Sequence, residues 1–450
     1  MTYVHSVPGV ADRVTRWPRR SPVITGLLAI GVALIITSLV GATIQQRSSS
    51  GTAPSSTDGA VADSSLARLE RRVAEAPDDA EAWAALGAAY VDHARVNSDP
   101  SAYPKAEQAL DRSLALDSSG NWQALAARGA LGAGRHDFAT ALQFSEQARA
   151  LQPNSSFILG IIVDALTELG RYPEAVEAAQ DMVDLRPELG SYARVSYQRE
   201  LHGDIPGAID ALSLALRAAS APGDKAFALY HLGELEWNRG DVAAAAAHYE
   251  SALRADPTAS QALAGLGKVA AARGDIDTAI AQYSQAVEAF PDPEALKELG
   301  ELHLLAGDRT LADERFAQSA AENAEQAAGG VDINLEIALF GADHRRDLDE
   351  GLAAARQEWE LRHSIHVADA LAWQLFAHGQ YDEALLYANT ALELGTRSAL
   401  FHFHRAEIQR ALGNRTAALA DYEQALSINP NFSFLHRDVA QQAMTELAWG

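Results

Sequence analysis

The 450-residue chain contains no cysteine. That excludes disulfides, thiolate-held metals, a thiol nucleophile and a lipid-bearing cysteine behind a leader. Positive charge is also scarce: 36 Lys and Arg stand against 60 Asp and Glu, for a net charge of −24. Five arginines fall within the first 47 residues, opposed there only by Asp12, so the remainder is more acidic still. Such a chain repels nucleic acid, whose binding requires Lys and Arg to displace counterions. Only four cations are lysines, which beside abundant alanine and arginine fits a high-GC bacterial genome. No local nucleophile, base and orienter motif occurs, nor a phosphate-cradling glycine loop, so no catalytic residue and no cofactor are expected.

What is present is repetition. Leu229, Leu232, Gly233, Gly240, Ala245, Tyr249, Ala252 and Pro257 recur 34 positions later as Leu263, Leu266, Gly267, Gly274, Ala279, Tyr283, Ala286 and Pro291. Each unit reads as two helices. The first ends at an Arg-Gly-Asp turn, where glycine accepts a positive φ. The second carries Ala245, Tyr249 and Ala252 on one face, and Pro257 follows its end. Gly233 and Ala245 let the two backbones approach, and the aromatic fills the space beside them.

At these residues the chain resembles the tetratricopeptide repeat family, whose 34-residue helix-turn-helix carries this order of small, aromatic and proline positions. Trp83, Leu86, Gly87 and Tyr90 match its opening spacing. The resemblance implies an all-α, right-handed helix-turn-helix solenoid, a scaffold for a protein or peptide partner, and no catalysis. It leaves the ligand open.

In chain order, residues 1–21 form a basic tail, and from Pro22 to Ile44 no charge occurs. As a helix this run rises about 34 Å, enough for one crossing of a hydrocarbon core of about 30 Å. Arginines crowd its N-terminal side, so the positive-inside rule places the N-terminus in the cytoplasm and the repeats outside the cytoplasmic membrane. The alternative is a leader cut after Val40 and Ala42, giving a secreted or periplasmic product. Thr25, Ala29, Ala33, Thr37 and Gly41 recur every fourth position, a spacing open to homodimer contact in a membrane. Residues 45–65 are too polar to bury anything and read as a tether, with a first helix from about Ser65. A repeat array follows over 66–320, an irregular connector with a degenerate unit over 321–361, and a second array over 362–430. Residues 431–450 read as a capping helix. About ten helix pairs are expected.

In the family, the first helix of each pair lines the concave surface. The resemblance therefore places Tyr197, Phe227, Tyr230, Glu234, Trp237, Asn238 and Lys268 inside the first array, and Trp373, Phe376 and Phe403 inside the second. Aromatic rings beside polar groups serve as interface anchors. The family's clamp for chaperone tails is not expected, because Glu301 follows Lys297 where asparagine is needed. His363, His366, His402 and His404 lack converging spacing and read as surface or inter-helix hydrogen-bonding groups rather than metal ligands. The acidic run Asp347, Asp349 and Glu350 reads as a solvated loop. The expected role is a membrane-tethered scaffold assembling an extracytoplasmic complex, the alternative an accessory subunit presenting substrates to a separate envelope enzyme or transporter.

Overall fold

The structure, a computed structural model, describes residues 58–449. The basic tail, the expected membrane span over 22–44 and the first part of the tether lie outside the described residues, among which no helix is long and apolar enough to cross a membrane. Helix α1 (Asp58–Glu75) begins seven residues before the expected Ser65 start. Alanine favours helix there.

Ten antiparallel pairs follow. They are α2 (Ala80–Asn97) with α3 (Ala102–Leu116), α4 (Trp122–Gly134) with α5 (Phe138–Leu151), and α6 (Ser156–Glu168) with α7 (Tyr172–Leu185). Next come α8 (Leu189–Leu201) with α9 (Ile205–Ala218), α10 (Pro222–Asn238) with α11 (Val242–Ala255), and α12 (Ser260–Ala272) with α13 (Ile276–Ala289). The series continues with α14 (Pro293–Leu305) and α15 (Arg309–Ala328), then α16 (Asn334–His344) and α17 (Leu348–Leu361). It ends with α18 (Ile365–Ala377) and α19 (Tyr381–Ala391), α20 (Ala399–Ala411) and α21 (Arg415–Ile428), and the single helix α22 (Arg437–Trp449).

The near-identical units show how the sequence makes these pairs. Gly240 and Gly274 end their first helices at φ 84° and 81°. The next residue caps the second helix: Asp241 accepts from the Ala244 amide and Asp275 from the Thr278 amide, each at 3.0 Å. At the crossing, a Cβ on Gly233 would lie 2.4 Å from the Tyr249 ring, and one on Gly267 would lie 2.4 Å from the Tyr283 ring. Both rings are fully buried.

The segment over 321–361 is irregular in sequence and regular in structure. Helix α15 runs 20 residues before Gly330 turns the chain at φ 87°. Helices α16 and α17 then pack as a full pair. Gly351 replaces the expected alanine because a Cβ would lie 2.1 Å from Gln374 Nε2, which donates to the Ala338 carbonyl at 2.6 Å.

The array coils back on itself. His136 Nδ1 lies 2.8 Å from the Asp332 carbonyl, 196 residues on. Tyr172 Oη accepts from the Ile365 amide at 2.8 Å across 193 residues, and Asn429 Nδ2 donates to the Trp237 carbonyl at 2.9 Å across 192. Thr396 Oγ1 donates to the Leu201 carbonyl, and buried Arg362 pairs with Glu168. Each contact joins the region of the turn inside one unit to the segment that follows a later helix pair. At 34 residues per unit, successive coils meet about every 5.7 units. One apolar cluster draws on both coils, placing Tyr172 and Leu201 with Ile365, Ala368 and Phe401.

The C-terminal end differs from the expected helix over 431–450. Helix α22 starts only at Arg437, and Asn429–His436 is a non-helical strap. Pro430 interrupts helical continuation, and Ser433 Oγ accepts from the Leu435 and His436 amides at 3.2 Å. Phe432 packs 5.5 Å from Phe403 and Phe434 packs 6.2 Å from Tyr283, so the strap bridges the two coils.

Candidate partner-binding site

Helices α10, α12 and α14 present successive inner faces to one half-open space of about 120 Å³, bounded on its far side by the strap and by Asp343 of α16. Its charged lining comprises Glu234, Glu294, Glu298, Glu301 and Asp343, together with Lys268, Lys297 and His436. Acids therefore outnumber lysines around it.

The charges are organised by the repeat. Glu234 on α10 accepts from Tyr249 Oη at 2.6 Å and from Lys268 Nζ at 3.0 Å. One period later the acid is replaced by Lys268, so Tyr283 reaches forward instead and donates to Glu298 Oε2 at 2.8 Å. Burial opposes the charge of Lys268, but Glu234 and Glu298 outweigh it and hold the ammonium above its ordinary pKa. Lys297 is held up in the same way against burial, by Glu294 at 2.7 Å and by Glu301. Burial pushes the Glu298 carboxyl up to about 7, with Lys268 pulling the other way. Glu200, which accepts from Asn238 Nδ2 at 3.3 Å, is pushed by burial to about 8. Carboxyls that titrate near neutrality beside fixed ammonium groups make the charge of this face depend on pH.

Of the ten residues placed inward by resemblance, Glu234, Trp237, Asn238 and Lys268 line this space. Trp373 and Phe403 lie behind it, with centroids 5.7 Å and 4.8 Å from His436, and are 4% and 1% exposed. Phe376 stacks on Trp373 at 4.7 Å. Tyr230 packs against Tyr249 at 6.0 Å, Phe227 against His231 at 4.4 Å, and Tyr197 Oη sits 3.4 Å from His366 Nε2. Phe376, Tyr230 and Phe227 are thus engaged within their own units, and Trp373, Phe403 and Tyr197 by the strap or a later coil. Glu294, Lys297 and Glu301 follow from the same inner frame one unit further on, and Glu298 lies one position outside it. Asp343 and the strap carried no sequence signal, because the coil brings them in from distant positions.

The C-terminal histidines meet other helices. His402 Nδ1 lies 2.7 Å from Asp421 and His404 Nδ1 lies 3.0 Å from Asp369. His363 packs edge-on to Trp359 at 4.5 Å. Burial lowers the His366 imidazole to about 3. The acidic run expected as a loop is instead the start of α17: Asp347 precedes the helix, Asp349 and Glu350 lie in its first turn where the helix dipole favours them, and all three are exposed.

The tetratricopeptide repeat family matches residues 237–302, 201–260 and 399–432. No curated protein matches the chain significantly. Among solved structures, a tetratricopeptide repeat protein from Parabacteroides merdae is 20% identical, with 62% of this chain and 99% of that one aligned at a TM-score of 0.33. MamA is also 20% identical, aligned over 37% of this chain and 97% of its own, at a TM-score of 0.30. Neither superposes closely enough to carry a partner across. The matched segments, set on ten helix pairs of the same build, make this chain a tetratricopeptide repeat protein whose expected partners are proteins.

Proposed function

We propose that the chain is a membrane-tethered scaffold that holds an extended segment or helix of a protein partner against the inner faces of α10, α12 and α14, outside the cytoplasm. The observation that carries this reading is the charge of that face, where five carboxylates meet two lysines. An acidic trough with half-buried walls selects a segment bearing a basic side chain, and complementary charge steers its approach. The role is binding rather than turnover.

The tether and its orientation rest on the uncharged run over 22–44 and the arginines before it. The small residues from Thr25 to Gly41 support a dimer contact within the membrane. The acidity of the chain argues against nucleic acid as a partner.

The test is affinity capture with the full chain in detergent, comparing wild type with Glu298→Gln and Glu301→Gln together. One stoichiometric protein partner, captured less well by the double variant at unchanged helix content, supports the reading. Equal capture by the variant contradicts the site. Transient capture of many proteins would point to delivery of substrates to a separate enzyme, and turnover by the purified chain would overturn the non-catalytic role.

A further inference from the structure

Beside the acidic trough, Asp343 of α16, His404 of α20 and His436 of the strap place one potential ligand atom each within 4.8 Å of one another. They are the one such group of three among the described residues. We propose that these three side chains bind a divalent transition ion, zinc by their ligand chemistry, and that the ion fastens the strap to the second half of the array.

Three observations support a ligand there. His404 is fully buried; its Nδ1 is engaged by both oxygens of Asp369 at 3.0 Å, while its Nε2 is buried without a hydrogen-bond partner. A carboxylate on one ring nitrogen fixes the tautomer that leaves the other as a lone pair, which is how metal-bound imidazoles are oriented. An imidazole nitrogen so buried needs a partner, and an ion supplies one.

The second observation is that the ligands are already oriented. Trp373 lies flat on His404 at 4.1 Å and 14°, and its Nε1 donates to Asp343 Oδ1 at 2.8 Å. Phe403 stacks on His436 at 4.8 Å and 20°. The third is spacing. His436 Nε2 and Asp343 Oδ1 stand 3.0 Å apart, close to the roughly 3.3 Å that separates tetrahedral ligands lying about 2.0 Å from zinc. The third ligand atom lies within 4.8 Å of the other two, so the His404 corner must draw closer for tetrahedral binding.

Two imidazoles and a carboxylate suit a borderline ion such as Zn²⁺ and leave a fourth position for water or a partner's side chain. Binding requires an unprotonated nitrogen from each imidazole, so the ion takes the place of the direct contact between His436 Nε2 and Asp343 Oδ1. Spacing in the sequence could not reveal the set, because its members come from two different repeats and the strap.

The experiment titrates the full chain, stripped with chelator, with Zn²⁺ and separately with Co²⁺. The expected result is one equivalent bound, the visible bands of tetrahedral cobalt, partial quenching of tryptophan fluorescence by Co²⁺, and a higher melting temperature with Zn²⁺. His436→Gln, which lies on the non-helical strap and tests the site without altering a helix, should weaken binding at least tenfold and abolish the thermal shift. His404→Gln should do the same, and Asp369→Asn should weaken binding about 10- to 100-fold. A folded wild-type chain that binds no ion, as when a water alone satisfies His404, overturns the proposal. So does stoichiometric binding that His436→Gln leaves unchanged. Partner capture is read separately, so failure here leaves the scaffold reading standing.

Discussion

In the two units over Ala226–Pro291, defining contacts join residues a unit or less apart: Gly233 opens space for Tyr249, and Glu234 meets Tyr249 and Lys268. At the seam between coils, Glu168 meets Arg362 across 194 residues and Trp237 meets Asn429 across 192. The first region is held by small residues and a repeated tyrosine, and the second by buried charge and by backbone carbonyls that receive side chains. A period of 34 specifies how one unit sits on the next. How far each unit rotates, and so which distant loops meet, is set by many small packing angles that add along the array.

The comparison is broken most severely at the seam's ion pair. Arg362→Ala should leave Glu168 and Glu358 as buried carboxylates without their cation and cost about 3–5 kcal/mol in urea denaturation. A loss no larger than that of a surface arginine would mean the coils do not touch there. Within the units, Ala245→Leu or Ala279→Leu places new methylenes at fully buried crossings, costing about 1–3 kcal/mol. If both leave the unfolding curve unmoved, the helix pairing is wrong.

Asn429→Ala should cost about 1 kcal/mol, because it removes the donor from the Trp237 carbonyl. A pH-dependent effect comes from Glu200. Its folded pKa of about 8 exceeds the ordinary 4.5, so the native state binds the extra proton between these values. Stability therefore falls as pH rises through that window and levels off above it. Melting temperatures measured from pH 5 to 8 should decline less steeply in Glu200→Gln; an unchanged slope would place that carboxyl in solvent.

This contrast also sets how much was legible beforehand. The ten helix pairs, the glycine turns at Gly240 and Gly274 and the crossing at Gly233 follow from local periodicity. The frame that put Glu234, Trp237, Asn238 and Lys268 inward gathered them at one space, for the same reason. It could not foresee that Trp373 and Phe403 would be covered by His436, or that Phe434 would reach Tyr283, since the strap arrives there only through the coiling. At Gly351, inside the segment that is degenerate in sequence, Gln374 occupies the volume of the missing methyl. The regular pair α16 and α17 survives its irregular sequence because a helix pair needs only a complementary face.

The central claim is that successive coils are in direct contact. Because the chain has no cysteine, Ala243→Cys and Ser427→Cys introduce two unique labelling sites, exposed and close to where Gly240 meets Ile428. Spin-label distance measurement on the full chain should give one narrow, short separation between them. A broad distribution at several nanometres would show an open spiral and contradict the account.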